Sequence, residues 1–295
     1  MLTLAFIIEL VFVIGFPLAL GVWIHRRWRV SWLLFAAGAI TFGLSQAVHL
    51  PMNMGVFALL GTPNPLPGWA NAILLGLTAG LCEETARYLV FRWILRDQRE
   101  SREALMFGAG HGGIESIVFV GLAVGAAFVN MSVLQGANLE NWALPGGQLV
   151  QLQAQFDAYW GQVWYMPLLG AAERLFSITF HMGMAVLVLQ AVVRRRPAFW
   201  LLAVGLHTAT NAVAVTTGQA GWHPAATEGA IGLFALLALA IIRLFWNREE
   251  DGGDQEGEGS DVGADPAPPR LLLTGPRRRT AEERLRERIE ESKWE

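Results

Sequence analysis

The sequence predicts an all-α, polytopic membrane bundle of about seven transmembrane helices, and three observations carry that expectation. The chain of 295 residues is 53% hydrophobic and only 16% charged, with a mean hydropathy of +0.38, whereas a soluble domain averages about 25% charged residues. Its apolar residues fall into runs of about 20, the length that crosses a bilayer as a helix. Its basic residues cluster in alternate connections between those runs and are missing from the others, as the positive-inside rule requires.

The runs are, in order, 2–24, 31–50, 69–93, 104–129, 167–192, 198–217 and 225–246. The first is expected to be a retained span, because no basic stretch precedes it as in a cleaved signal peptide. It ends at His25-Arg26-Arg27-Trp28-Arg29. Pro51 begins a turn-rich connection that also holds Pro63, Pro65 and Pro67, residues that break helices and favour turns. Arg92, Arg96, Arg99 and Arg102 separate the third and fourth runs, Arg194-Arg195-Arg196 follows the fifth, and Arg243 and Arg248 close the seventh. Segments 51–68, 130–166 and 218–224 contain no Lys or Arg. This alternation places the N-terminus outside and the C-terminus in the cytoplasm of a multi-pass cell-membrane protein.

Two segments differ in character. Connection 130–166 mixes Asn138, Asn141, Gln148, Gln151, Gln153, Gln155 and Asp157 with Trp142, Tyr159, Trp160, Trp164 and Tyr165, a composition that suits an interfacial helix or lid. After the membrane domain of residues 1–246, segment 247–295 forms a cytoplasmic tail. Its Glu249–Asp265 stretch is acidic and Gly-rich and reads as a disordered linker. Thr280-Ala-Glu-Glu283 is a capping-box pattern able to start a short helix over 280–294. The single Cys82 excludes an internal disulfide.

The chemistry concentrates in the apolar runs. Glu83 and Glu84 stand together in the third, with Arg87 one turn on, and His111, His181 and His207 occupy three others. One carboxylate at the bilayer centre costs about 2.5–3.5 kcal/mol on insertion scales, so a pair marks a functional site. Counted from the cytoplasmic ends at 1.5 Å per residue, Glu83, His111 and His207 lie roughly 12–14 Å deep, with His181 somewhat deeper. They share a layer. Arg87 is i,i+4 from Glu83 and i,i+3 from Glu84, so both can reach it. One carboxylate is then held ionised while the other serves as a general base. His111 with Glu115, and His207 with Asn211, are again i,i+4. Gly108, Ala109, Gly110, Gly112 and Gly113 permit close helix approach there. Glu9, Gln46, His49 and Asn71 are set aside as outer-side polar residues, and Glu173-Arg174 as an internal ion pair. For each histidine alone, interhelical bonding that merely holds the bundle together is an equal alternative.

Glu83-Glu84-x-x-Arg87, Phe107-x-x-x-His111 and His207-x-x-x-Asn211 resemble the motif series of glutamic-type intramembrane proteases, which include the type II CAAX prenyl endopeptidases with their immunity-type relatives, and the PrsW proteases. The phrase Gly110-His111-Gly112-Gly113-Ile114-Glu115, with Glu173-Arg174 and His181, is most similar to the YhfC family. The resemblance covers about residues 80–215. It implies peptide hydrolysis at or within the membrane, with Glu83 and His111 activating a water, His207 and Asn211 donating to the oxyanion, and Arg87 orienting the acidic pair. Prenyl endopeptidases have three residues between acidic pair and arginine where this chain has two. One residue turns the arginine about 100° around the helix, so Glu84 stands as a second candidate base. Glu115 and His181 have no counterpart in that pattern and are possible additional site residues.

The expectation is thus a metal-independent peptidase without cofactor. Its partners would be membrane lipids and a membrane-embedded or membrane-anchored protein substrate, with no nucleic acid. Three rival readings use the same residues. Three histidines and a carboxylate are zinc-ligand types, although no H-E-x-x-H pattern occurs. Buried charges also serve ion or proton relays in transporters and channels, but no inverted repeat of the transporter kind is visible. The last rival is a non-catalytic membrane scaffold.

Overall fold

A computed structural model describes residues 1–61, 64–137 and 145–257. The chain divides into two compact units, Met1–Gly253 and Asp254–Glu295; everything below concerns the first. Asn138, Asn141 and Trp142 of connection 130–166, Pro63, and the tail from 258 onward, with its expected short helix, lie outside the described residues.

Helix α1, Leu2–Trp28, carries His25, Arg26 and Arg27 in its last turn, where positive charge suits the carbonyl end of the helix dipole. Arg29 caps it in the left-handed region at φ 58°. Helix α2, Trp32–Leu60, starts at Ser31, whose side chain accepts from the Leu33 amide, and stops at Gly61 with φ 81°, a conformation only glycine adopts without strain. Pro51 lies inside α2, so the turn-rich connection begins nine residues or more after the expected boundary. Proline removes one amide donor, a loss that membrane helices tolerate where neighbours satisfy the freed carbonyl.

Helix α3, Gly68–Leu89, continues through a π turn, Val90–Ile94. Helix α4, Ser101–Ile114, opens with a capping box between Glu100 and Glu103. A second π turn, Glu115–Gly121, leads directly into α5, Leu122–Gln135. This π segment is tied to α1 by the Ser116 hydroxyl, which donates to the Val13 carbonyl at 2.8 Å. Helix α6, Gly146–Gly161, realises the helix expected in connection 130–166; its Tyr159 stacks on Phe6 and its Trp160 indole donates to the Met131 carbonyl. Helix α7, Met166–Val193, is the central element, buried almost continuously from Ile178 to Val192. Helix α8 is Ala198–Gln219, and α9 runs from Pro224 to Gly257.

Among the described residues, six helical stretches are long and apolar enough to cross a membrane: Leu2–Trp28, Trp32–Leu60, Ser101–Gln135, Met166–Val193, Ala198–Gln219 and Pro224–Trp246. The stretch 68–94 has comparable length but carries Glu83, Glu84, Arg87 and Arg92, and so falls outside that set. It packs inside the bundle against α2, α7 and α8. The protein is a polytopic helical membrane bundle.

Two close approaches position the site. A Cβ on Gly110 of α4 would stand 2.0 Å from the Phe35 carbonyl of α2. A Cβ on Gly76 of α3 would stand 2.5 Å from the Thr208 carbonyl of α8. Small residues at these crossings let backbones meet, which brings the helices bearing Glu83, His111 and His207 within hydrogen-bond reach.

Candidate active site

Glu83, Glu84, Arg87, His111, His181 and His207 are all buried and face one another from α3, α4, α7 and α8. Glu83 Oε2 is the hub: His111 Nε2 donates to it at 3.0 Å, Arg87 Nη2 lies at 3.6 Å and His207 Nε2 at 3.9 Å. Its other oxygen accepts from Gln46 Nε2 of α2 at 3.2 Å. Glu84 shares two of these partners: its Oε1 accepts from Arg87 Nη1 at 2.5 Å and from His207 Nδ1 at 2.7 Å. Arg87 also donates to His181 Nδ1 at 2.6 Å, which leaves the other proton position of that ring on Nε2, 2.7 Å from Glu115 Oε2. Glu115 is in turn bridged to Arg174, whose guanidinium also grips Glu173.

Both expected contacts of Arg87 therefore form, and the expected Glu173–Arg174 pair is present. The side chains of the i,i+4 neighbours His111 and Glu115 do not bond among the described residues; the π turn starts at Glu115, whose carboxylate pairs instead with His181 and Arg174. Asn211 is half-buried one turn beyond His207 and has no hydrogen bond to the cluster among the described residues. Gln46 is the residue whose importance the sequence hides. It is a neutral amide without a motif, and only packing shows that it touches Glu83. His49 extends that contact, with Nδ1 3.1 Å from Gln46 Oε1 and Nε2 bonded to Thr78 and Asn53.

Charge and donor geometry bear on whether a metal fits. Four carboxylates, Glu83, Glu84, Glu115 and Glu173, face two guanidiniums, Arg87 and Arg174. That formal excess of two negative charges calls for protons or a divalent cation, since unpaired buried charge is strongly unfavourable. One ligand atom each from Glu83, His111 and His181 lie within 4.8 Å of one another. A carboxylate and two imidazoles are zinc donors. His181 and His207 each rest their second nitrogen against a carboxylate held by an arginine, the outer-shell arrangement typical of metal-binding histidines. Glu84 Oε2 and His111 Nδ1 are buried without hydrogen-bond partners among the described residues. These residues fit a zinc ion.

Comparison with known proteins agrees with this architecture. Residues 10–231 match the family model described as YhfC intramembrane metalloprotease. A curated relative, the uncharacterized membrane protein YhfC of Bacillus subtilis (strain 168), is 32% identical over 232 residues, spanning 76% of this chain and 88% of the relative. No solved structure matches at a significant level. With a family match across most of its length, six apolar spans and a buried Glu/His cluster where four helices meet, the chain belongs to the YhfC family of intramembrane metalloproteases.

Proposed function

We propose that this protein hydrolyses peptide bonds of membrane-embedded or membrane-anchored proteins at a zinc ion held by Glu83, His111 and His181. The observation that carries the proposal is the approach of those three donors to within 4.8 Å in a buried pocket; the family description supports it. It departs from the sequence expectation of a metal-free site, which rested on motif resemblance and kept His181 only as a possible additional residue and zinc only as a rival. When bound, zinc would acidify a water and polarise the scissile carbonyl.

The chain's own groups supply the rest. Glu115, braced by Arg174, orients His181. Glu84 has one oxygen saturated by Arg87 and His207 and the other buried without a partner, so Oε2 is free to take a proton from the attacking water and pass it to the leaving amine. His207 and Asn211 donate to the carbonyl oxygen; donation from Nε2 while Nδ1 is bonded to Glu84 requires the doubly protonated ring. We read stretch 68–94 as a seventh span, buried by its neighbours, which keeps the N-terminus outside and the C-terminus cytoplasmic.

One observation favours a second reading. The Arg87 guanidinium lies 2.6 Å from His181 Nδ1 and 3.6 Å from Glu83 Oε2, so a cation of the chain itself occupies part of the pocket. In a metal-free peptidase, Glu83 would be the base and would share its water with His111. Metal analysis of purified protein, joined to proteomic comparison of membranes carrying wild type or variants, separates the two. The zinc reading expects about one zinc per chain, lost with cleavage in His181→Ala. Full cleavage by metal-free protein, or by His181→Ala, overturns it in favour of the Glu83–His111 pair. The relay reading of a transporter or channel has no support from the family.

A further inference from the structure

A second cavity, about 420 Å³, opens at the arginine-rich end of the bundle, away from the carboxylates. Trp23 and Trp28 of α1 and Trp246 of α9 wall it; Trp23 and Trp28 meet edge-on at 4.9 Å between ring centroids, and Trp28 and Trp246 approach to 5.0 Å. Its inner surface is apolar, with Leu105 of α4 and Met182 of α7, both buried, and Leu239 of α9. One cation, Arg243, stands on its rim, exposed and paired with no carboxylate among the described residues. A neighbouring cavity shares Trp23 and adds Arg26 and Arg27, neither of them paired with a described carboxylate, and the Arg27 guanidinium lies 5.8 Å from the Trp28 ring.

We infer that this cavity binds one anionic phospholipid from the leaflet at that end. Arg243 on the rim, with Arg26 and Arg27 in the adjoining cavity, has no acidic partner among the described residues; the opening is too apolar within for a polar ligand, and an anionic headgroup joined to an acyl chain satisfies both halves at once. Tryptophan sits at the headgroup level, so the ring wall fixes the phosphate beside Arg243 and the chain against Leu105 and Met182. Guanidinium is suited to phosphate through paired N–H donors. The consequence reaches the active site, because Met182 follows His181 directly and a Cβ on Gly108 would stand 2.6 Å from the Met182 Cα. An acyl chain against Met182 therefore steadies the α4–α7 crossing that carries His111 and His181.

Native mass spectrometry of the full chain tests this, using vesicle-derived nanodiscs of dioleoyl phosphatidylglycerol mixed equally with dioleoyl phosphatidylcholine. The expected result is one retained phosphatidylglycerol in preference to phosphatidylcholine. Arg243→Gln should weaken that preference about fivefold, the loss of one arginine's attraction to an anionic headgroup. Arg96→Gln, an exposed arginine outside both cavities, should leave it unchanged. Arg243 is exposed, so its variant is expected to fold, as checked by an unchanged elution volume. Equal retention of the two lipids, an Arg243→Gln variant that binds like wild type, or displacement of the lipid by inorganic phosphate alone would overturn the inference.

Discussion

Gly110→Ala is a small change at the crossing that builds the site, and its cost can be worked from distances. The added methyl would lie 2.0 Å from the Phe35 carbonyl oxygen and 2.6 Å from its carbon, whereas ordinary contact begins at 3.4 Å. Both atoms belong to backbone inside α2, so no side chain can yield. Relief needs α2 and α4 to part by about 1.4 Å, the difference between the required and available separations. Overpacking of that kind costs about 1–3 kcal/mol. The separation falls next to His111, whose bond to Glu83 is 3.0 Å; a shift of even half that size carries it past the range of a hydrogen bond. We expect a lower thermal midpoint in detergent, zinc binding weakened by at least tenfold, and cleavage lost. The assay is a thermal melt paired with metal titration, with Gly205→Ala as reference because nothing lies within 4 Å of its added methyl. A Gly110→Ala protein that melts and binds metal like wild type would refute the claim that this contact sets the donor geometry.

Three further outcomes follow from the same contacts. Glu84→Gln removes the proposed proton carrier while leaving the zinc donors in place, so cleavage should fall about 10²–10⁴-fold with metal content unchanged; loss of metal along with activity would count against the assignment. Glu115→Gln should weaken zinc binding about 10–100-fold by releasing the far nitrogen of His181, read by competition with a chelating dye; unchanged affinity would remove the outer-shell role. Arg87→Met leaves Glu83 and Glu84 without their shared cation and should cost about 3–5 kcal/mol of stability, unless added zinc restores the melting temperature, which would show that the metal supplies the missing charge.

The sequence alone determined the class of the protein and most members of its buried polar cluster. Apolar runs of membrane-spanning length, arginines in alternate connections and carboxylates where hydrocarbon is expected are local properties, and hydration energy makes each legible without coordinates. Glu83, Glu84, Arg87, His111, His181 and His207 were all visible this way, because a titratable group among apolar residues has few alternative uses. Only the tertiary structure decided their pairings. The 100° between adjacent residues of α3 sends Glu83 toward His111 and Glu84 toward His207, and no spacing rule ranks those partners. Gln46 is neutral and gives no charge signal in the sequence, so its bond to Glu83 exists only because α2 crosses α3 at that level. The π turn that begins at Glu115 and the helix that continues past Pro51 likewise depend on neighbours that satisfy the backbone. Burial energy is written along the chain, whereas the direction of a hydrogen bond is set by which helices meet and at what height.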